Sequence, residues 1–181
     1  MRPENLNTPT CAAWLAGLWD GEGSVGVSLT NNNGRRIICP QIQINMTHED
    51  TVQRVSDVIA ATGYPVRPTV YQYKYQLANN YKPAYLFALS NTIWVQKIAK
   101  HLIPYAVTKL AHWELTYELC DLRIERQGLS KDGRALRRGG PPGWVKEYGD
   151  REIEIADLLR EMNRRGVTVD APTRAVIAKP N

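Results

Sequence analysis

The residues best placed to do chemistry in this 181-residue chain lie between positions 13 and 23. The run Leu15-Ala16-Gly17-Leu18-Trp19-Asp20-Gly21-Glu22-Gly23 ends on two acids separated by one glycine. Just before them, Ala13, Ala16 and Gly17 form a small-residue face on a helix. Such a face lets two helix backbones approach closely, and a second copy related by a two-fold axis is the partner it would take. Packing two copies this way sets their helix ends side by side and brings Glu22 next to its symmetry mate. Two neighbouring carboxylates repel unless a cation lies between them. Hard oxygen donors suit Mg²⁺, and an ion held there can polarise a phosphate, activate water and stabilise a leaving oxygen. Outside such an arrangement, Glu22 would be only a solvated acid at a helix end.

The elements that would position these residues can be read along the chain. Thr8 before Pro9 predicts an N-cap with proline at the first helical position. The helix is expected to run through Trp19 and to end around Asp20-Gly21-Glu22-Gly23, where two glycines suit a C-terminal turn. Ser24 to Thr30 alternates as a half-exposed strand, Asn31 to Gly34 reads as a loop or hairpin turn, and Arg35 to Met46 as a second strand. His48 to Thr62 has the apolar spacing of an amphipathic helix, stopped by Gly63. Tyr64 to Leu77 and Ala84 to Leu89 form a second strand pair. Helices follow over Asn91 to Leu102 and Thr108 to Gln127, separated at Pro104. The order αββαββα predicts an α+β fold: one antiparallel four-stranded sheet with helices on one face and additional C-terminal helices. Residues 1–127 form the core. Residues 128–165 add a basic loop, with Lys131, Arg134, Arg137 and Arg138 among glycines and prolines, and a helix from Asp150 to Arg165. Residues 166–181 are a tail.

Composition sets the class. Lys and Arg total 23 against 18 Asp and Glu, a net charge of +5 that favours a polyanionic partner through counterion release. The three cysteines, Cys11, Cys39 and Cys120, are widely spaced and form neither a disulfide framework nor a zinc motif. No apolar run approaches the roughly 20 residues that span a bilayer, and no signal-type segment follows Met1. The expectation is an intracellular, soluble chain in cytoplasm, nucleoid or organelle matrix, with no membrane partner and no small organic cofactor.

The Leu15 to Gly23 segment resembles the LAGLIDADG signature of homing endonucleases. Trp19 stands for Ile, Gly21 for Ala and Glu22 for the last Asp, and Ser24-Val25-Gly26-Val27 resembles the start of that family's first strand. The resemblance implies a Mg²⁺-dependent endodeoxyribonuclease. A chain with one motif would act as a homodimer and cut both strands of a long pseudo-palindromic DNA duplex, in intron homing or a related setting. It implies that Glu22 and the Gly21 carbonyl contact metal. Lys109, after Ile103-Pro104-Tyr105, resembles a family lysine near the reacting water. His48 falls where relatives carry a polar residue that positions solvent, and equally beside the N-cap of the next helix. The dimer face would comprise Ala13, Ala16, Gly17 and Asp20, with Asp20 structural, capping or bonding across the helix pair. The open sheet face would read bases in the major groove through Ser28, Thr30, Asn32, Arg35, Gln41, Gln43 and Asn45, joined from the second hairpin by Arg67, Thr69, Tyr71 and Tyr73. Lys74, Lys82 and the basic loop would meet phosphates. The competing readings are an RNA maturase, a DNA-binding protein without cleavage, and a plain interaction module.

Overall fold

The structure, a computed structural model, describes residues 5–32, 35–64, 70–72, 83–127 and 148–164. Helix α1 (Pro9–Glu22) leads into β1 (Gly23–Asn32) and β2 (Arg35–Met46), then α2 (Glu49–Ala61), β3 (Val70–Gln72) and β4 (Tyr85–Leu89). Helix α3 (Thr92–Leu102) passes through a 3-10 turn (Ile103–Tyr105) into α4 (Leu110–Gln127), and α5 (Asp150–Met162) closes the described part. The sheet is antiparallel in the order β1-β2-β4-β3. The αββαββα order and the four-stranded sheet are those the hydrophobic periodicities predict.

Register divides the residues between the two faces. Val25 pairs with Ile42 and Ile42 with Leu89, while Ile44 pairs with both Gly23 and Phe87. These apolar side chains bury against α1, α2 and α3 in the main core, with Leu15, Trp19, Val52, Val55, Ile98 and Trp113. Because strand side chains alternate, the odd-numbered partners on β2 face the other way. Gln41 and Gln43 are half-buried there and Asn45 is exposed. A second, smaller core lies under the far part of the β1–β2 hairpin, where Ile38, Leu115, Leu119, Ile155, Ala156 and Leu159 pack with Val27 and Leu29. Helix α5 thus supports the hairpin: it fills the space that α1 to α3 do not reach. Tyr148 assists at that edge, where its hydroxyl accepts from the Ile38 backbone N–H at 2.8 Å. At the start of α5, Glu152 is buried, paired with Arg126 at 2.8 Å, and accepts from the Gly149 N–H at 2.7 Å.

The structure corrects the sequence reading at several boundaries. Helix α1 continues through Asp20, Gly21 and Glu22, and Gly23 caps it with an extended φ of −88° instead of a left-handed turn. Glycine is needed there for space: a Cβ would come within 2.8 Å of the Trp19 Cα. Thr8 occupies the N-cap position but makes no side-chain cap; its hydroxyl donates to the Asn5 carbonyl at 2.7 Å. Strand β1 extends to Asn32, beyond the expected Thr30. Gly63, at φ +99°, ends the α2 segment as expected, in a conformation that glycine adopts without strain. The basic loop, the C-terminal tail and most of the predicted third strand lie outside the described residues. Cys11 and Cys120 are buried, Cys39 is half-buried, and none of the three is in a disulfide. Among the described residues no helix is long and apolar enough to cross a membrane.

Candidate active site and nucleic-acid interface

The site forms where the end of α1 meets the start of α4. Trp19, in place of the smaller residue of the signature, makes edge-on contacts with Phe87 of β4 (6.0 Å) and Trp113 of α4 (5.8 Å). This aromatic trio fixes the helix end to the sheet below and to α4 beside it, which places the two acids that follow. Asp20 makes the polar half of the same joint. Its carboxylate accepts from the backbone N–H groups of Val107 (2.7 Å), Lys109 (2.9 Å) and Thr108 (3.2 Å). These donors belong to the turn entering α4, whose first amides have no partner within the helix. Burial alone would raise the Asp20 carboxyl pKa, but the bonds from Val107, Lys109 and Thr108 outweigh it and hold it below the ordinary 3.8.

Lys109 completes the joint. Its Nζ donates to the Asp20 backbone carbonyl at 2.8 Å, and the Thr108 hydroxyl donates to the same oxygen at 3.2 Å. That carbonyl is one of the last four of α1, which lack helical partners, so a cation there also meets the negative end of the helix dipole. The half-buried lysine is thereby held two residues from Glu22, which is exposed. Glu22 immediately precedes the Gly23–Ile44 pair, at the end of the sheet where β2 runs out through Asn45 and Met46 toward His48. The structure therefore brings Glu22, Gly21 and Lys109 to one place.

His48 is at the same end of the sheet but is engaged locally. It caps α2, with Nδ1 accepting from the Thr51 N–H at 3.3 Å and lying 2.9 Å from the Thr51 hydroxyl. Of the expected dimer residues, Ala13 and Gly17 are exposed on α1, and a Cβ at Gly17 or Gly21 would meet nothing within 4 Å. Ala16 is fully buried in the chain's own core, so it is not part of this exposed face. Asp20 directs its carboxylate within its own chain, to the start of α4. The exposed small residues thus run Ala13, Gly17, Gly21, at four-residue spacing.

On the open sheet face, register aligns Ser28 with Cys39, Thr30 with Ile37, Gly26 with Gln41 and Ser24 with Gln43, and the backbone of Asn32 pairs with that of Arg35. Ser28 is half-buried and Thr30 exposed. The backbone of Tyr71 in β3 pairs with Leu86, which Asn45 pairs with from the other side. Arg67, Thr69 and Tyr73, with Lys74 and Lys82, lie outside the described residues. Sequence reasoning missed Trp19 and Thr108 as parts of the joint, and it missed the end of α5. There Arg160, Asn163 and Arg164 line a groove with Ser24, Gln41 and Gln43. The Trp-for-Ile departure inside the signature was the available signal for the first; nothing in the local sequence signals the last.

Among the described residues, no three His, Cys, Asp or Glu side chains gather to hold a metal ion. Glu22 is a hard oxygen donor free to face outward, and the Gly21 carbonyl adjoins it. The donor set suits a divalent cation only if further oxygens come from outside the chain, such as a second Glu22 and phosphates.

No family model and no curated protein matches the sequence. Solved structures do match. The homing endonuclease I-CvuI, in complex with the I-CreI target in the presence of Mg, superposes with a TM-score of 0.54 at 14% identity, over 86% of this chain and 98% of that one. The archaeal intron-encoded homing endonuclease I-Vdi141I, complexed with DNA, gives 0.60 at 13% identity, over 91% of each chain. The LAGLIDADG homing endonuclease I-GzeII, in complex with its DNA target, gives 0.56 at 14% identity, over 92% of this chain and 48% of that one. With the signature at the end of α1 and the αββαββα order around it, this chain has the fold of the LAGLIDADG homing endonucleases.

Proposed function

We propose that the chain is a homing endonuclease: a homodimeric, Mg²⁺-dependent enzyme that hydrolyses both strands of a long, near-palindromic DNA duplex. The observation that carries this reading is the joint at the end of α1. An exposed Glu22 follows, two residues on, the Asp20 carbonyl that tethers Lys109, at one end of a sheet whose open face carries amides and hydroxyls. Neighbours of the same fold are DNA complexes, which supports duplex DNA as the partner. The exposed Ala13-Gly17-Gly21 stripe supports pairing through α1.

In this reading the Glu22 carboxylate and the Gly21 carbonyl would hold a divalent ion, with further oxygens needed from phosphates and from the second copy's Glu22. When bound, such an ion would supply charge neutralisation at the phosphate and a more acidic water. Asp20 keeps the start of α4 fixed, so that Lys109 stays at the end of α1, where its ammonium can stabilise charge developing on the phosphoryl oxygens. Gln41, Gln43 and Asn45 present amide groups able to pair bidentately with adenine, and Ser28 and Thr30 offer hydroxyls. His48 serves as the cap of α2. A randomised palindromic duplex library, incubated with the protein and Mg²⁺, tests the proposal: recovery of one cleaved sequence supports it, and enrichment of a bound sequence that is never cut assigns binding without cleavage.

A further inference from the structure

The end of α5 does not stop at the helix layer. It reaches the free edge of β1, where the Asn163 amide nitrogen donates to the Val25 carbonyl at 3.0 Å and to the Leu159 carbonyl at 2.8 Å. Gly26 makes this approach possible, since a Cβ there would lie 2.6 Å from the same nitrogen. The outcome is a groove of about 230 Å³ with two unlike walls. One wall is the open sheet face, with Ser24, Gln41 and Gln43; the other is Arg160 and Arg164. Among the described residues, neither guanidinium forms an ion pair and neither glutamine amide is hydrogen-bonded. Ser24 stands two residues after Glu22, so the groove adjoins the catalytic joint.

The geometry points to a strand-binding groove: Arg160 and Arg164 grip a backbone phosphate while Gln41 and Gln43 meet the neighbouring base edges, and Asn163 is the positioning residue that clasps the arginine wall to the sheet. This rests on the duplex-DNA reading above and adds to it the element that flanks the inner part of the target. A planar guanidinium matches phosphate oxygens bidentately. A sheet lying in a major groove has phosphates at its edge and bases over its middle, which is the order of the two walls. Helix α5 therefore has a role at the DNA as well as in the second core.

The test is binding of the selected duplex in EDTA, where nothing is cut, measured by anisotropy over a range of salt concentrations. The double variant Arg160→Ala/Arg164→Ala is expected to flatten the plot of log affinity against log salt by about 0.9 for each phosphate that is no longer neutralised. Asn163→Ala and Gly26→Ala are expected to flatten it part of the way, because each unclasps the wall and leaves both arginines present. Gln41→Ala and Gln43→Ala should leave the slope unchanged and relax discrimination at one base pair each by roughly five- to 150-fold. Both arginines are exposed, so the fold should survive, and a thermal melt of each variant checks it. An unchanged slope in the folded arginine variant overturns the groove assignment while duplex binding stands. Failure of the wild-type protein to bind any duplex overturns the DNA reading and the groove with it.

Discussion

Replacing Asp20 by alanine removes the acceptor for three backbone amides at the entry to α4. Hydrogen bonds to charged groups contribute about 1.5–3 kcal/mol each in favourable settings, which sets a ceiling. The turn is largely exposed at Val107 and Thr108, so those two amides regain water in the variant and the net loss falls toward that of a strong helix cap, about 2 kcal/mol. For a chain of this length, that corresponds to a melting shift of about 4–8 °C. The sign of the pH dependence follows from the lowered carboxyl pKa. A carboxyl whose folded pKa lies below its unfolded value contributes stability that is present above the unfolded value and lost as pH falls through the folded one. Wild type should therefore melt above Asp20→Ala at pH 7, and the gap should close as pH drops below about 4. Asp20→Asn, which keeps one acceptor oxygen, should fall between the two. Melting curves of the three proteins at pH 7, 5 and 3 decide this. A variant that melts with wild type at pH 7, or a gap of the same size at pH 3, would refute the role assigned to this carboxylate.

Other consequences follow from particular contacts. His48→Ala should cost about 0.5–2 kcal/mol through loss of the α2 cap, and His48→Asn, a strong capping residue, should restore stability in a melt and leave cleavage near wild type. Cleavage that stays absent in His48→Asn would make the ring catalytic. Gly23→Ala should destabilise by at least about 1–3 kcal/mol, because the added Cβ meets the backbone of Trp19, which cannot swing away; denaturant titration reads this directly. Native alkylation should label Cys39 first, since Cys11 is buried and burial pushes the Cys120 thiol far up from its usual range. Cys39 shares the open face with Ser28, so bound duplex should protect it, as peptide mass mapping would show.

Much of the fold was legible because two periodicities carry it. Alternation through Ile38, Ile42 and Ile44 set both the register-sensitive core face and the amide face of β2, and the structure keeps every one of those assignments. Helix spacing located α2, α3 and α4 to within two residues at each end. Local preference misleads where tertiary contacts override it. Gly21 and Gly23 look like a helix stop, yet Trp19, anchored on Phe87 and Trp113, carries the helix on to Glu22. Ala16 and Gly17 look alike as small residues, and only the packing shows that one faces the core and the other the outside. The partners of Asp20 lie 87 to 89 positions away, and those of Asn163 include Val25, 138 positions away. Contacts at such separations leave no local pattern to read.

The most direct test of the endonuclease reading compares wild type with Glu22→Gln on the selected duplex, with Mg²⁺ and with EDTA. Glu22 is exposed, so the variant should fold and bind as wild type does. Wild type is expected to cut both strands with Mg²⁺ and neither in EDTA, and Glu22→Gln to bind with unchanged affinity and cut neither. Cleavage by Glu22→Gln at the wild-type rate, or tight binding by wild type with no cleavage in Mg²⁺, would contradict that reading.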